Sequence, residues 1–216
     1  MTKEWWINWF TSQEEWFLDN YRRVPKLSEL FFKMACEHRI EFQHGCSKGC
    51  IIDLDADFVI KWTIEDGNDE MTKEYEVYKK AVAHGLECFF PKTELLFELG
   101  GWLKIFAQER VTTTVCEMSL EDYNKCKNSL PFEIQELVYD DFEEFDFYWR
   151  PEDTLWIKKA IMDFGRQKVF ELASFTRKYR INDLHDRNIG FNGVDFTPLL
   201  LDFSGYGMGT LRSYSF

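Results

Sequence analysis

The stretch NDLHDRNIGF, residues 182–191, brings together polar side chains of the kinds that carry catalysis. Asp183 and Asn188 stand five positions apart, and His185 lies between them. An apolar run, LLLDF at residues 199–203, follows closely and places Asp202 near the end of a predicted strand. Two carboxylates and an amide in this order make the stretch a candidate for a functional site. The plain structural alternative is that they cap turns and strand ends.

Upstream of this stretch, hydrophobic periodicity predicts helices and strands in a definite order, with a hairpin turn at Gly100-Gly101. The predicted helices are 3–22, 27–36 (with Ser28 as a possible cap), 69–84, 119–127, 131–147, 153–162 and 164–179. The predicted strands are 40–46, 49–54, 57–62, 94–99, 102–111, 189–191 and 199–203. The tryptophans of the first helix are expected to lie in the core rather than to form a ligand platform.

This order of elements and the loop at 181–188 resemble the catalytic core of the protein-kinase-like superfamily. The loop Ile181-Asn182-Asp183-Leu184-His185-Asp186-Arg187-Asn188 is similar to H-G-D-L-H-x-x-N, the catalytic loop of the aminoglycoside- and choline-kinase type. Asp202-Phe203-Ser204-Gly205 looks like the DFG element, and Phe58-Val59-Ile60-Lys61 looks like the V-A-I-K strand motif. A group of small phage and bacterial proteins with an N-D-L-H-x-x-N loop is more similar still. The resemblance covers residues 40–205.

The resemblance implies an α+β, bilobal fold. Residues 1–39 would form a helical extension that has no counterpart in the minimal kinase core. Residues 40–110 would form an N-lobe with an antiparallel sheet and one helix. Residues 111–216 would form a reduced, mostly helical C-lobe.

The resemblance also implies the roles of the polar residues near the end of the chain. Asp183 would orient or deprotonate the attacking hydroxyl group, and His185 stands where those small-molecule kinases have a histidine. Asn188 and Asp202 would hold Mg²⁺, which prefers hard oxygen ligands. Phosphoryl transfer depends on such positioning and charge neutralisation more than on covalent catalysis.

On the third predicted strand, Lys61 would contact the α- and β-phosphates of ATP, and a helix carboxylate would hold it. Glu74 shares a helix face with Met71 and Tyr78, the face that is expected to turn toward the sheet, whereas Glu76 lies off this face. Glu74 is therefore the predicted partner of Lys61. The structural alternatives are a solubilising lysine on an edge strand and a solvated helix glutamate.

Two backbone segments complete the nucleotide site that the resemblance implies. The loop Gly45-Cys46-Ser47-Lys48-Gly49 would bind phosphate through its N–H groups, although its two glycines would suit any hairpin. The segment Gln108-Glu109-Arg110-Val111 follows a strand at the position of a hinge, where backbone groups would bind adenine.

These expectations support a minimal kinase-like phosphotransferase that binds Mg-ATP and phosphorylates a hydroxyl group of a protein or a small molecule. Fourteen residues follow Asp202, so the helices that carry the acceptor in the family have no counterpart here. The alternative is therefore a pseudokinase that acts as a nucleotide-binding or protein-interaction module. The acceptor, the protein partner and a possible homodimer that completes the site stay open.

Composition restricts the other function classes. The chain has 216 residues, of which 45% are hydrophobic, as expected for a globular core. Its net charge of −12 disfavours binding to nucleic-acid phosphates. It contains no apolar run of about 18 residues that could span a membrane, and the acidic, Trp-rich N-terminus does not look like a signal peptide. A cytoplasmic protein with reduced thiols is the expectation.

Two further patterns offer alternatives to the kinase hypothesis. His44, Cys46 and Cys50 could be part of a metal site, but zinc usually takes four ligands, and buried thiols are the simpler interpretation. Residues 133–153 contain nine acids and one base. This segment is either a helix with a solvated acidic face, or a docking surface for a basic partner or a nucleic-acid mimic. In the latter case the chain would be an acidic interaction protein.

Overall fold

The computed structural model describes residues 1–20, 24–38, 40–44, 48–53, 55–63, 70–111, 113–147, 151, 153–181 and 184–203. The chain divides into two compact units. The first, the sheet unit, comprises Met1–Glu76 and Lys92–Arg110. The second, the helical unit, comprises Val77–Pro91 and Val111–Phe216. The N-terminal helices, which the sequence predicted as a helical extension over residues 1–39, thus belong to the same unit as the sheet.

The sheet unit is built on five antiparallel strands in the order β1-β2-β3-β5-β4. Its strands are β1 (Glu41–His44), β2 (Lys48–Ile52), β3 (Phe58–Thr63), β4 (Thr93–Leu99) and β5 (Leu103–Glu109). Its helices are α1 (Lys3–Ser12), α2 (Glu14–Asp19), α3 (Val24–His38) and the first half of α4 (Glu70–Ala83), which connects β3 to β4.

The two faces of this sheet differ because strand side chains alternate between them. One face carries Ile60 and Trp62 of β3 and packs on an aromatic cluster from α1, α2 and α3. Trp6 and Phe10 of α1 are fully buried in this cluster, which confirms the expected core role of the first helix. The opposite face carries Lys61 and receives the first two turns of α4.

The helical unit packs helices around a small three-stranded sheet of order β6-β7-β8. Its helices are α5 (Leu120–Ser129), α6 (Phe132–Gln135), α7 (Thr154–Phe164) and α8 (Arg166–Tyr179), with 3₁₀ turns at Glu87–Phe89, Val115–Glu117 and Tyr139–Phe145. Its strands are β6 (Thr113–Thr114), β7 (Ile189–Phe191) and β8 (Pro198–Leu200). The α7 residue Trp156 is fully buried and donates its indole N–H to the Leu199 carbonyl at 3.2 Å, which ties α7 to β8.

The structure confirms the α+β class and most of the predicted elements. Three predictions about helices were wrong. The first helix breaks at Gln13, and α3 begins at Val24, so Ser28 lies inside it and is not its cap. Residues 131–147 form a short α-helix and a 3₁₀ turn instead of one helix, because Val138 is extended and donates its N–H to the Asp141 carboxylate.

The acidic segment lies mostly at the surface of the helical unit. Its acids from Glu133 to Asp146 are all exposed, which matches the interpretation as a solvated face. Two of these acids pair with basic residues of α8, Glu144 with Arg166 and Asp146 with Arg177. In the part of the chain that is described, no helix is both long and apolar enough to cross a membrane.

Candidate functional site

The Lys61–Glu74 pair is the centre of the candidate site in the sheet unit. The Lys61 ammonium lies 3.6 Å from Oε1 of Glu74. Glu74 is 0% exposed, whereas the Lys61 side chain keeps 18% of its surface exposed. The sequence predicted this pairing from the helix face of Glu74, and the structure confirms it. Glu76 is only half-buried, as expected for a residue off that face.

Two contacts hold α4 on the sheet so that Glu74 meets Lys61. The Lys104 ammonium donates to the Thr72 hydroxyl at 3.0 Å. The rings of Tyr75 and Phe106 pack with their centroids 5.4 Å apart. The contacts lie three residues apart on the helix, at Thr72 and Tyr75, and both reach β5, so they set the rotation of α4 about its own axis. Glu74 projects between them toward the sheet.

A buried amide accompanies this pair. Nε2 of Gln108 donates to Oε1 of Glu74 at 2.7 Å and to the Thr93 hydroxyl at 3.1 Å. Gln108 is 3% and Thr93 2% exposed. Sequence reasoning did not find Thr93, and it considered Gln108 only for its backbone. The available signal was the alternation of β5, which puts Gln108 on the same face as Phe106.

Cys50 lies beside Lys61 on the neighbouring strand, since the two residues are paired in the β2–β3 register. Burial raises the pKa of the Cys50 thiol to about 11, with a smaller opposing effect of the Lys61 charge and further increases from Glu41 and Glu74. A thiol with this pKa is protonated at neutral pH and is a poor nucleophile. Cys50 therefore lines the site as a small neutral side chain.

The expected phosphate loop is shorter than the sequence suggested. Lys48 and Gly49 lie in β2 and pair with Thr63 and Trp62 of β3, so they are not loop residues. A Cβ atom on Gly49 would lie 2.1 Å from the Trp62 ring, so the indole requires glycine at this position. The rest of the expected loop, Gly45, Cys46 and Ser47, lies outside the described residues. The alternative metal site depends on Cys46 and on the His44 side chain, which is also outside the described part of the chain.

The expected hinge segment begins inside a strand of the sheet rather than after it. Gln108 and Glu109 lie within β5, between β3 and β4, rather than beyond the end of the strand. The N–H of Glu109 donates to the Lys92 carbonyl at 2.7 Å, and the N–H of Arg110 donates to the Asp57 carbonyl at 2.9 Å. The N–H groups of Glu109 and Arg110 are thus already hydrogen-bonded within the sheet unit. Of the three residues expected to bind adenine, Gln108, Glu109 and Val111, only Val111 lies beyond the end of β5.

In the helical unit, the segment that the resemblance implied as a catalytic loop follows α8, whose C-cap Arg180 has a left-handed backbone conformation. Ile181 and Leu184 are both buried in the core of this unit. Asn182 and Asp183, the expected base, lie outside the described residues. Nδ1 of His185 accepts a hydrogen bond from the Arg187 N–H at 3.1 Å, which orients the imidazole within the turn.

Asn188 and Asp202 are brought to the same end of the β7–β8 hairpin. The Leu201 N–H donates to the Asn188 carbonyl at 2.8 Å, which continues the pairing of Ile189 with Leu200 by one step. Asp202 follows directly, and the buried Phe203 anchors it by an edge contact with Phe90, with ring centroids 4.9 Å apart.

The amide of Asn188 and the carboxylate of Asp202 lie at the same end of the hairpin. Such a pair of oxygen donors suits Mg²⁺, which binds through hard oxygen atoms and keeps several waters. The described residues contain no group of three His, Cys, Asp or Glu side chains that could hold a metal ion.

Asp153 is a carboxylate with an altered pKa, and it lies near enough to Asp186 to experience its charge. Asp153 caps the N-terminus of α7 by accepting the Trp156 N–H at 3.1 Å. Burial raises its pKa, the bonds from Trp156 and Leu155 oppose this, and the charge of Asp186 raises it further. Capping accounts for the position of Asp153, so it is a structural residue of this unit.

No protein-family model, curated protein or solved structure shows significant similarity to this chain.

Proposed function

We propose that this chain is a minimal kinase-like phosphotransferase, which binds Mg-ATP and transfers the γ-phosphoryl group to a hydroxyl group. The observation that carries the proposal is the Lys61–Glu74 pair. A buried carboxylate on the helix after the third strand meets a lysine on that strand at 3.6 Å. A solubilising edge lysine is a poorer explanation, because β3 lies in the middle of the sheet and Lys61 faces a fully buried acid.

The Lys61 ammonium has the properties of a phosphate-binding group. It is a point charge with three donors, and its distance from Glu74 exceeds that of a normal hydrogen bond. Its donors are therefore not consumed by the carboxylate. Lys61 would neutralise the α- and β-phosphates, while Glu74 keeps the ammonium from turning away into solvent.

Asn188 and Asp202 would hold Mg²⁺, and the ion would neutralise charge on the β- and γ-phosphates. Their shared position at the end of the β7–β8 hairpin supports this joint role. Asp183 would accept the proton of the acceptor hydroxyl group while the oxygen of that hydroxyl group forms a bond to the γ-phosphorus. The bond from that phosphorus to the bridging oxygen breaks, and ADP leaves with the electron pair. His185 would help to position this loop.

Calorimetry with Mg-ATP tests the proposal directly. Wild-type protein should bind, and Lys61→Met should weaken the affinity roughly 10- to 100-fold, the range for a lost hydrogen bond to a charged group. Asp202→Asn should weaken binding of Mg-ATP but change binding of metal-free ATP little. Lys33→Met is the matched control, since Lys33 is an exposed lysine of α3 in the same unit.

Phosphorylation assays with Mg²⁺ or Mn²⁺ then separate the two kinase-like functions. Transfer to an acceptor, autophosphorylation or ATP hydrolysis supports the phosphotransferase. Binding without any turnover identifies a nucleotide-binding module of the pseudokinase kind. A wild-type protein that binds no Mg-ATP at all would contradict both.

A further inference from the structure

Gln108 is an amide side chain that is buried beside the Lys61–Glu74 pair. Its Nε2 atom donates at 2.7 Å to Glu74 and at 3.1 Å to the Thr93 hydroxyl. An amide nitrogen carries two hydrogens, so both have an acceptor here. Thr93 and Gln108 are also partners in the β4–β5 register. One hydrogen bond of the amide therefore stays within the sheet, to Thr93, and the other reaches Glu74 on the helix.

Gln108 and Lys61 both approach the same oxygen of Glu74, Oε1. The amide lies at hydrogen-bonding distance from this atom, 2.7 Å, whereas the ammonium lies at 3.6 Å. Normal N–H···O bonds fall between about 2.7 and 3.2 Å. The short contact of Oε1 is thus with the amide, and the ammonium is attracted to it mainly by charge.

The hydrogen bond from Gln108 matters because the Glu74 carboxylate is buried. Glu74 is 0% exposed, and a buried carboxylate is costly unless hydrogen bonds satisfy it. Gln108 provides such a bond from β5, which is flanked by β3 and β4 and is therefore a fixed part of the sheet. Glu74 can be oriented in this way without a close contact from Lys61.

We propose that Gln108, held by Thr93, is a positioning residue that fixes the Glu74 carboxylate so that Lys61 is held in place by charge while its donors stay available for an anionic phosphate. This inference rests on the proposed binding of Mg-ATP, and it deepens the account of the same site. It also gives Gln108 a role through its side chain, distinct from the adenine contact through the backbone that the sequence suggested.

The first test follows Lys61 without any ligand. Lysines are labelled by reductive ¹³C-methylation, and the Lys61 signal is identified by its loss in Lys61→Arg. Gln108→Leu should move the Lys61 signal, and Thr93→Val should move it less in the same direction. Gln167→Leu, the same substitution at an exposed glutamine of α8, should leave it unchanged. An unchanged Lys61 signal in Gln108→Leu would overturn the inference.

Thr93→Val keeps the inference testable if Gln108→Leu does not fold, because valine matches the shape of threonine and removes only the hydroxyl group. In that case, a Lys61 signal that is unchanged in a folded Thr93→Val protein would overturn the role of the Thr93–Gln108 contact.

The second test measures the affinity for Mg-ATP by calorimetry. Gln108→Leu should weaken binding roughly tenfold in the wild-type background, as expected when a hydrogen bond to a charged group is lost. It should cause little further loss in the Lys61→Met background, because Gln108 acts through Lys61. Equal losses in both backgrounds would indicate a general structural defect and would overturn the inference.

The two tests separate the failure of this inference from the failure of the proposed function. A wild-type protein without affinity for Mg-ATP contradicts the function, while the Lys61 signal still decides whether Gln108 positions the lysine. A wild-type protein that binds Mg-ATP, with a Lys61 signal indifferent to Gln108, contradicts only the inference.

Discussion

At the scale of single residues, the candidate site combines charge with burial. Glu74 is buried, and two groups with different functions surround it: an amide that satisfies it and an ammonium that it attracts. Cys50 lies next to the ammonium and experiences both charges. The thiol is therefore a natural reporter of the electrostatics of this site.

Replacement of Lys61 by Met should raise the pKa of Cys50 above about 11, because the Lys61 charge is what opposes the effect of burial. Alkylation of Cys50 by iodoacetamide, followed by peptide mass spectrometry at pH 9 to 10, should become slower. The exposed Cys36 provides an internal control for the reagent. Faster alkylation of Cys50 in Lys61→Met would contradict the arrangement of charges.

The same pKa predicts how stability depends on pH. The folded-state pKa of Cys50 lies above its ordinary value of 9.0, so the unfolded chain loses the thiol proton first as the pH rises. Stability associated with Cys50 is complete below pH 9 and decreases as the pH rises toward about 11. Urea denaturation of the wild type and of Cys50→Ala should therefore diverge in slope over this range. Parallel curves would contradict the shift.

Asp183→Asn tests the catalytic base of the proposed function. If Asp183 accepts the hydroxyl proton, the variant should keep its affinity for Mg-ATP and lose turnover by roughly 10²- to 10⁴-fold, the usual contribution of general acid–base catalysis. The measurement is a phosphate-release or autophosphorylation assay beside calorimetry. Loss of affinity with unchanged turnover would assign Asp183 to binding instead.

At the scale of elements, β2 and β3 show how one strand restricts its neighbour. Gly49 lies opposite Trp62, and the indole occupies the space of a side chain at Gly49. Trp62 is in turn fully buried against Phe31 of α3, with ring centroids 4.3 Å apart. The glycine therefore serves the contact between the sheet and the N-terminal helices, not a phosphate loop.

Gly49→Ala should destabilise the protein by about 1–3 kcal/mol or more, the range for overpacking of a close-packed core. The added methyl group would meet a ring that cannot move without displacing the aromatic cluster. Cys50→Ala, the adjacent substitution on the opposite face of β2, should cost less. Chemical denaturation of both variants checks the prediction, and a cost at Gly49 no larger than that at Cys50 would contradict it.

At the scale of the whole molecule, ligand binding should appear as added stability. A ligand at ten times its Kd stabilises the native state by about 1.4 kcal/mol, which raises the Tm of a domain of this size by roughly 3–6 °C. We expect such a shift with Mg-ATP and a smaller one for ATP with EDTA. The net charge of −12 repels a bare polyphosphate, so the difference should be largest at low salt. An unchanged Tm at millimolar Mg-ATP would count against the proposed function.

The sequence by itself determined the α+β class, the order of the strands along the chain and the choice of Glu74 over Glu76 as the partner that the resemblance implied for Lys61. These features depend on local periodicity. Alternation identifies strands, and the 3.6-residue period places Glu74 on the same face as Met71. The resemblance implied that Asn188 and Asp202 act together, and the structure places both at the same end of the β7–β8 hairpin, whose register continues to Leu201.

Only the tertiary structure decided how Gln108, Thr93 and Gly49 are used. Gln108 meets Glu74 because β5 lies between β3 and β4, an order in space that differs from the order along the chain. Gly49 is required by a ring that reaches it from β3 only in one register. Such contacts depend on distances between elements that are far apart in sequence, and local periodicity carries no information about these distances. A buried amide and a close-packed glycine therefore appear in the sequence as an ordinary polar residue and an ordinary turn residue.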